Sequence, residues 1–206
     1  MRKISLVLIL FFSSKAFATL ELYAGTSFGF ATMDEFSPGY KYDHSSNFDM
    51  GLLIGSRYRW QVDSWLLGGV AELGWVGHTI DRRSRGPDAS KDYRIETQRI
   101  LLGPSVAYSL IQDRLAIEAE YYPVYSTTVS YSDEKAGNPN KKGDQRRGSG
   151  WGLGMSFKFW ICRVTGMYRQ LQVKSADHGN AATSPVPTYG DFTAHEGVAT
   201  FGFEFF

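Results

Sequence analysis

Apolar side chains recur at every second position from Thr19 onward, which is the period of a β-strand. In the first segment, Leu20 and Leu22 alternate with Glu21. The alternation recurs in eight segments, which lie near residues 20–30, 47–60, 65–75, 100–108, 115–131, 151–159, 162–172 and 195–205. We therefore expect an all-β fold built from eight strands.

The two faces of these segments differ in charge. The apolar face holds no Asp, Glu, Lys or Arg in any segment, although charged residues make up 21% of the chain, and His195 is its one ionisable exception. A lysine or arginine on a lipid-facing surface at mid-bilayer costs roughly 2–4 kcal/mol. The uncharged face is therefore predicted to contact lipid, although mean hydropathy and the short apolar runs exclude membrane helices.

The connections between segments alternate in length. Long connections at 33–46, 81–91, 132–148 and 174–193 alternate with short ones at 61–63, 109–113 and 160–161. Short periplasmic turns, longer external loops and an even strand number are typical of outer-membrane barrels. These features predict an eight-stranded antiparallel up-and-down transmembrane β-barrel, a multi-pass protein of the cell outer membrane.

A soluble sandwich of two sheets is the alternative fold. Its strands would average about five or six residues, whereas several segments here run beyond ten. Aromatic residues also gather at segment ends, as expected for belts at the two membrane interfaces; they include Trp60, Trp65, Tyr108, Trp75, Tyr125 and Trp151. Both observations favour the barrel.

Irregular pairing is expected at three places. Pro104 and Pro123 lie inside segments, where each removes a hydrogen-bond donor, so we predict bulges at both. Residues 93–97 have the opposite phase to the rest of the fourth segment. This change predicts either a bulge near Gln98–Arg99 or a strand that extends beyond the membrane.

Residues 1–18 have the three parts of a secretory signal peptide: a basic start, an apolar stretch from Ile4 to Phe12, and Ala16-Phe17-Ala18 at the end. The barrel domain is then 19–206. Removal of the signal takes away three basic residues and no acid, which leaves 19 bases against 21 acids. This balance gives no support to a nucleic-acid partner. The single cysteine excludes an intramolecular disulfide.

A cleaved signal, eight strands and the C-terminal sequence Phe201-Gly202-Phe203-Glu204-Phe205-Phe206 together resemble the small outer-membrane barrels of the OmpA/OmpX type. The resemblance implies that the outer-membrane assembly machinery recognises the last strand. The candidate residues are Phe201, Phe203, Phe205 and Phe206, the last of which is one residue out of phase. The resemblance implies no cofactor.

The inward parity is rich in charge. It holds seven acids and six bases, namely Glu21, Asp49, Glu72, Glu118, Glu120, Glu196 and Glu204 with Arg57, Arg59, Arg99, Lys158, Arg163 and Arg169. Unpaired charges are costly away from water, so we predict a cross-barrel ionic network that closes the lumen. The alternative is a narrow pore for small solutes. Gly150, Gly152 and Gly154 share the inward parity and are expected to leave room for long side chains.

Catalysis has one candidate site in the sequence. His44 and Ser46 lie two residues apart, where an imidazole could activate a hydroxyl, and the spacing resembles the His-x-Ser of outer-membrane lipid A deacylases. No acid is clearly placed to orient His44. No spacing typical of a metal site occurs. The leading expectation is a non-enzymatic barrel, with a lipid A-modifying hydrolase as the alternative.

The external connections suggest partners. Segments 81–91 and 132–148 each carry a net charge of +2, and basic side chains near an outer leaflet can bind lipopolysaccharide phosphates. The candidate residues are Arg82, Arg83, Arg85, Arg146 and Arg147. We therefore expect a structural or interaction-type barrel that presents four external loops to lipopolysaccharide or to another surface ligand.

Overall fold

The computed structural model shows a closed barrel in which each strand pairs with its sequence neighbours and β1 pairs with β8. The strands are β1 (Phe17–Met33), β2 (Asp49–Val62), β3 (Trp65–Arg82), β4 (Lys91–Ile111), β5 (Leu115–Asp133), β6 (Asn138–Phe159), β7 (Cys162–Val173) and β8 (Phe192–Phe205). The structure describes residues 17–33, 49–82, 91–111, 114–133, 138–173 and 192–205. All pairs are antiparallel, which confirms the predicted architecture.

Two hairpin turns define one end of the barrel, which we call the turn end. Residues 63–64 join β2 to β3, and residues 160–161 join β6 to β7. Their first residues, Asp63 and Trp160, have φ angles of 54° and 58°. The opposite end, where β1 leads towards β2, is called the loop end. No helix in the described part of the chain is long and apolar enough to cross a membrane.

Inward and outward side chains alternate as the sequence pattern predicts. On β1, Glu21 and Tyr23 are buried while Leu20 and Leu22 are exposed. β1 already begins at Phe17, which pairs with Gln61. Two residues of the predicted signal peptide therefore belong to the strand, and residues 1–16 lie outside the described part, so cleavage stays a prediction.

The predicted bulge at Pro123 is present, and the one predicted at Pro104 is not. Two β4 residues face three β5 residues between Leu102 and Ser105, and two β5 residues face one β6 residue between Tyr122 and Tyr125, so the extra residue lies on β5 in both pairings. Pro104 itself pairs with Gly69 in an unbroken β3–β4 register. The Pro123 bulge corrects one expectation about the aromatic belts. Because Pro123 and Val124 both face outward, the next residue turns inward, and Tyr125 is only 2% exposed.

One expectation about irregular segments was wrong, and another is resolved between its two alternatives. Gln98 pairs with Trp75 and with Thr128 without a shift, so residues 93–97 extend the strand and no bulge lies near Gln98–Arg99. The segment 132–148 is also mostly strand, because β5 reaches Asp133 and β6 starts at Asn138. Where both faces of a sheet meet water, the apolar alternation disappears although the strand does not.

Candidate functional site

The outward surface is an apolar belt. Exposed aliphatic side chains such as Leu52 and Met155 cover it. At the turn end, Trp65 packs edge-on against Tyr108 with ring centroids 4.9 Å apart. From Trp65 to Trp75, β3 climbs about 25 Å at the usual rise and tilt, which is the height of an outer-membrane apolar band. The surface is therefore that of a transmembrane barrel of the outer-membrane type.

Among the described side chains, the lumen contains twelve that are charged, six acidic and six basic. They come from all eight strands, and each is almost fully buried except Lys158, whose side chain is 13% exposed. The set comprises Glu21, Arg57, Arg59, Glu72, Arg99, Glu118, Glu120, Lys158, Arg163, Arg169, Glu196 and Glu204. All twelve lie on the face that the sequence pattern assigns to the interior. The side chain of the thirteenth predicted residue, Asp49, lies outside the described part.

Nearest the turn end, Glu204 binds two bases. Its carboxylate oxygens lie 2.5 Å from Lys158 Nζ and 2.5 Å from Arg163 Nε. Arg163 Nη1 is also 3.9 Å from Glu118. Arg59 Nη2 then donates to both oxygens of Glu118 at 2.9 Å. These contacts join β2, β5, β6, β7 and β8 across the lumen.

The network continues from Arg59 into the middle of the barrel. Arg59 Nη1 donates to Glu21 at 2.8 Å, and Glu21 also accepts from Arg57 Nη1 at 3.2 Å. Arg57 Nε donates to Glu120 at 2.7 Å. Arg169 Nη2 reaches the other oxygen of Glu120 at 3.4 Å. The carboxylates of Glu21 and Glu120 therefore each lie between two guanidinium groups.

Glu72 connects the last part of the network. It accepts hydrogen bonds from Arg169 Nη1 at 2.7 Å and from the Tyr23 hydroxyl at 2.9 Å. Arg99 Nη2 lies 3.7 Å from Glu72, and Arg99 Nη1 donates to Glu196. The twelve groups therefore form one continuous path from Lys158 to Glu196.

Charges alternate in sign along this path, so every buried acid neighbours a base. Among the described side chains, each strand also contributes only one sign to this path: β1, β3, β5 and β8 supply the acids, while β2, β4, β6 and β7 supply the bases. Buried charges are tolerated when they are paired and hydrogen-bonded. The described interior is electrically neutral with all eight strands assembled, and it carries two excess bases without β8.

Tyr23 and Tyr122 belong to the network, a role that the sequence pattern did not predict. The Arg57 guanidinium lies 4.1 Å from the ring centre of Tyr23, and that of Arg169 lies 5.3 Å from the ring centre of Tyr122. The Tyr122 hydroxyl donates to Glu120. Their inward parity was visible in the sequence, but their partners depend on contacts across the barrel.

Apolar side chains fill much of the remaining interior. One cluster contains Leu101, Tyr125, Leu171, Val173 and Ala194, and a second lies nearer the turn end with Leu66, Ala107 and Ala116. All eight are at most 5% exposed. Apolar packing therefore accompanies the charged network within the described lumen.

Glycines make room for the charged chains. A Cβ added at Gly202 would lie 2.6 Å from Glu21 Oε1. At Gly152, one would lie 2.7 Å from Met167 Sδ and 3.2 Å from Arg169 Cγ. All three distances are shorter than ordinary contacts, so a larger residue at either glycine would displace the neighbouring side chain.

The other predicted sites lie mainly outside the described residues. His44, Ser46, Arg83, Arg85 and Phe206 are in this group, and so are the side chains of Arg82 and Arg146. The hydrolase hypothesis therefore stays a prediction. Arg147 is exposed on the outward face of β6, and Phe201, Phe203 and Phe205 are exposed on β8. In the described part of the chain, no group of three or more His, Cys, Asp or Glu could hold a metal ion.

Comparisons with known proteins name no family for this chain. No family model and no curated protein matches the chain. Among solved structures, the chain is similar to Neisserial surface protein A (NspA), with 12% identity over 93% of this chain and 100% of that one, and a TM-score of 0.48. It is also similar to the translocator domain of the autotransporter NalP from Neisseria meningitidis, with 12% identity over 99% of this chain and 94% of that one, and a TM-score of 0.30. A third similar structure is the P. putida toluene transporter TodX, with 7% identity over 95% of this chain and 91% of that one, and a TM-score of 0.23. The assignment to outer-membrane barrels therefore rests on this chain's own strand pairing and lipid-facing surface.

Proposed function

We propose that the chain is a structural and interaction-type outer-membrane barrel with a closed lumen, which presents its loop end to lipopolysaccharide or another external ligand. The observation that carries the closed lumen is the continuous path of twelve paired charges from Lys158 to Glu196. An ion pathway would favour one sign of charge, whereas this interior holds equal numbers of both.

The interior packing supports the closed lumen independently. Arg57 and Arg169 are completely buried, as are the apolar side chains Leu101 and Leu171. Eight strands leave an interior just wide enough for side chains to fill. An ion that crossed the barrel would have to displace paired guanidinium and carboxylate groups, which is costly.

The lengths of β5 and β6 support the proposal that the barrel presents its loop end to an external ligand. β5 extends to Asp133 and β6 begins at Asn138, whereas the neighbouring β7 ends at Val173, which pairs with Gly148. About ten residues of β6, roughly 30 Å of strand, therefore continue beyond the end of β7. This part of the sheet is long enough to place side chains well outside the lipid headgroups.

Planar-bilayer recordings test the closed lumen. The purified, refolded chain is expected to give no steady conductance above that of the lipid alone. Two variants form a matched pair for these recordings. Glu72→Gln removes the charge of a central member of the network, and Ser149→Gln is the control, because it changes an outward position on β6. A steady open conductance from the unchanged chain would replace the closed barrel with the narrow pore.

Lipopolysaccharide binding tests the role of the loop end. Replacing Arg82, Arg83, Arg85, Arg146 and Arg147 with Gln removes five positive charges, so binding to phosphorylated lipopolysaccharide is expected to fall at least tenfold. Arg114→Gln, an exposed position at the turn end, serves as the control. Unchanged binding and outer-membrane permeability in the five-fold variant would reject these residues as the contact.

A further inference from the structure

A polar and aromatic cluster interrupts the apolar surface at the loop end of the belt. The Tyr168 hydroxyl lies 2.7 Å from His195 Nδ1. The Trp151 and Tyr168 rings lie 5.6 Å apart, and the Tyr168 and His195 rings 6.2 Å apart. We call Trp151, Tyr168, Gln170 and His195 the rim cluster. His195 is the only acidic or basic side chain on the described lipid-facing strands between the two aromatic belts.

The strand register places three members of the rim cluster in one row across neighbouring strands, and Tyr168, which pairs with Leu153, joins them through ring contacts. Trp151 on β6 pairs with Gln170 on β7, which pairs with His195 on β8. Side chains below this row, such as Leu153 and Phe201, are exposed and apolar. The row therefore lies where the hydrocarbon ends and the lipid headgroups begin.

Polar side chains continue above the row on the same outward face. Ser149 and Gln172 pair across β6 and β7. Arg147 is exposed two positions further along β6, about 13 Å of strand from Trp151. The surface thus presents aromatic rings, an amide and an imidazole at the hydrocarbon boundary, then a hydroxyl and an amide, and then a cation.

This order of groups matches one class of ligand. A phosphorylated glycolipid places acyl chains in the hydrocarbon, sugar rings at the boundary and phosphates above it. Tyrosine and tryptophan suit the boundary because their rings are apolar and their ends polar. Arginine and imidazole N–H groups form strong bonds with phosphate oxygens. In the tautomer in which the Tyr168 hydroxyl donates to Nδ1, His195 carries its proton on Nε2.

A second outward row towards the loop end, on β3, β4 and β5, lacks this combination. Trp75 on β3 pairs with Gln98, and Gln98 pairs with Thr128 on β5. These residues supply one aromatic ring and neutral polar groups, without a base. This side therefore offers a matched control for any general effect of interfacial aromatic residues.

We propose that the rim cluster, together with Arg147, binds the headgroup of a phosphorylated glycolipid in the leaflet at the loop end. The inference rests on the proposed function, because it requires the barrel to span a membrane, and it adds a lipid site on the barrel wall that shares only Arg147 with the basic residues proposed above. The occupant is the lipid of the surrounding leaflet and not a free phosphate.

The full chain, refolded in neutral detergent micelles, is titrated with lipid A and with the same lipid after removal of its phosphates, and bound lipid is counted by native mass spectrometry. We expect one tightly held lipid A and at least tenfold weaker retention of the dephosphorylated form. His195→Ala with Arg147→Gln is expected to weaken lipid A retention at least tenfold, and Tyr168→Phe a few-fold, while Trp75→Phe changes nothing. Millimolar inorganic phosphate is expected not to displace the lipid.

The outcomes separate this inference from the proposed function. Each variant is scored only as a folded barrel, shown by altered gel mobility without heating, and the outward position of these side chains predicts that all variants fold. Equal retention of lipid A by the His195→Ala, Arg147→Gln variant, or equal loss in Trp75→Phe, would overturn the lipid site and leave the barrel intact. Displacement by inorganic phosphate would also overturn it. An unchanged chain without heat-dependent mobility would instead overturn the proposed function.

Discussion

Glu21 and Glu204 lie directly opposite each other across the seam between β1 and β8, both buried in the lumen. Two like charges in a directly opposed pair destabilise a sheet. Arg59 lies between them, with Nη1 2.8 Å from Glu21 and 3.8 Å from Glu204. The seam that closes the barrel is therefore held by a cation from a strand outside it.

Replacing that cation should weaken the whole barrel. Arg59→Met leaves Glu21 and Glu118 without their closest partner, and removing one member of a buried ionic group costs about 3–5 kcal/mol. The measurement is the urea midpoint of folding in detergent or lipid vesicles. Arg59→Met with Glu21→Gln should recover part of the loss, because one of the two opposed charges is then gone. If the Arg59→Met variant were as stable as the unchanged chain, Arg59 would not hold the seam.

Two glycines should respond in opposite ways to the same change. Gly202→Ala would bring a Cβ within 2.6 Å of Glu21 Oε1, so we expect a loss of about 1–3 kcal/mol of unfolding free energy. Gly166 faces outward with nothing within 4 Å of an added Cβ. Gly166→Ala should therefore be neutral or stabilising by about 0.5–1 kcal/mol. Equal effects of the two changes in equilibrium unfolding would contradict the crowding at Gly202.

The tight turn at Trp160 stores backbone strain. Its φ angle of 58° is a conformation that suits glycine, yet the side chain is 87% exposed and makes up the tip of the turn. Trp160→Gly should be more stable than Trp160→Ala by about 1–2 kcal/mol, since both lose the ring but only glycine relieves the strain. Unfolding midpoints of the two variants supply the test, and a more stable alanine variant would contradict it.

The lipid-facing surface can be tested on a single strand. Met155 is exposed in the middle of the β6 belt, whereas Ser149 faces outward above Trp151. Met155→Arg should lower stability by roughly 2–4 kcal/mol in bilayers, and Ser149→Arg by about 0–1 kcal/mol, because the cost depends on membrane depth. Unfolding in phosphatidylcholine vesicles provides the measurement. Equal costs at both positions would place the membrane elsewhere on the barrel.

The sequence predicted which residues face inward but not which of them touch. Parity along a strand is local, so it correctly placed Arg57, Arg99 and Glu120 inside. Pairing across the lumen depends on strand tilt and register, which no local pattern encodes. The effect of the Pro123 bulge on Tyr125 shows the same limit, since one extra residue reverses every later side chain on that strand.

Because the described interior charge of each strand has a single sign, no strand can neutralise its own interior. The described charges of β1 to β7 sum to an excess of two bases. A barrel that lacks β8 keeps Lys158, Arg163 and Arg99 without their closest carboxylates, those of Glu204 and Glu196. Closure is then the step at which these bases acquire those partners, so the charged interior itself favours a barrel that closes with β8 in place.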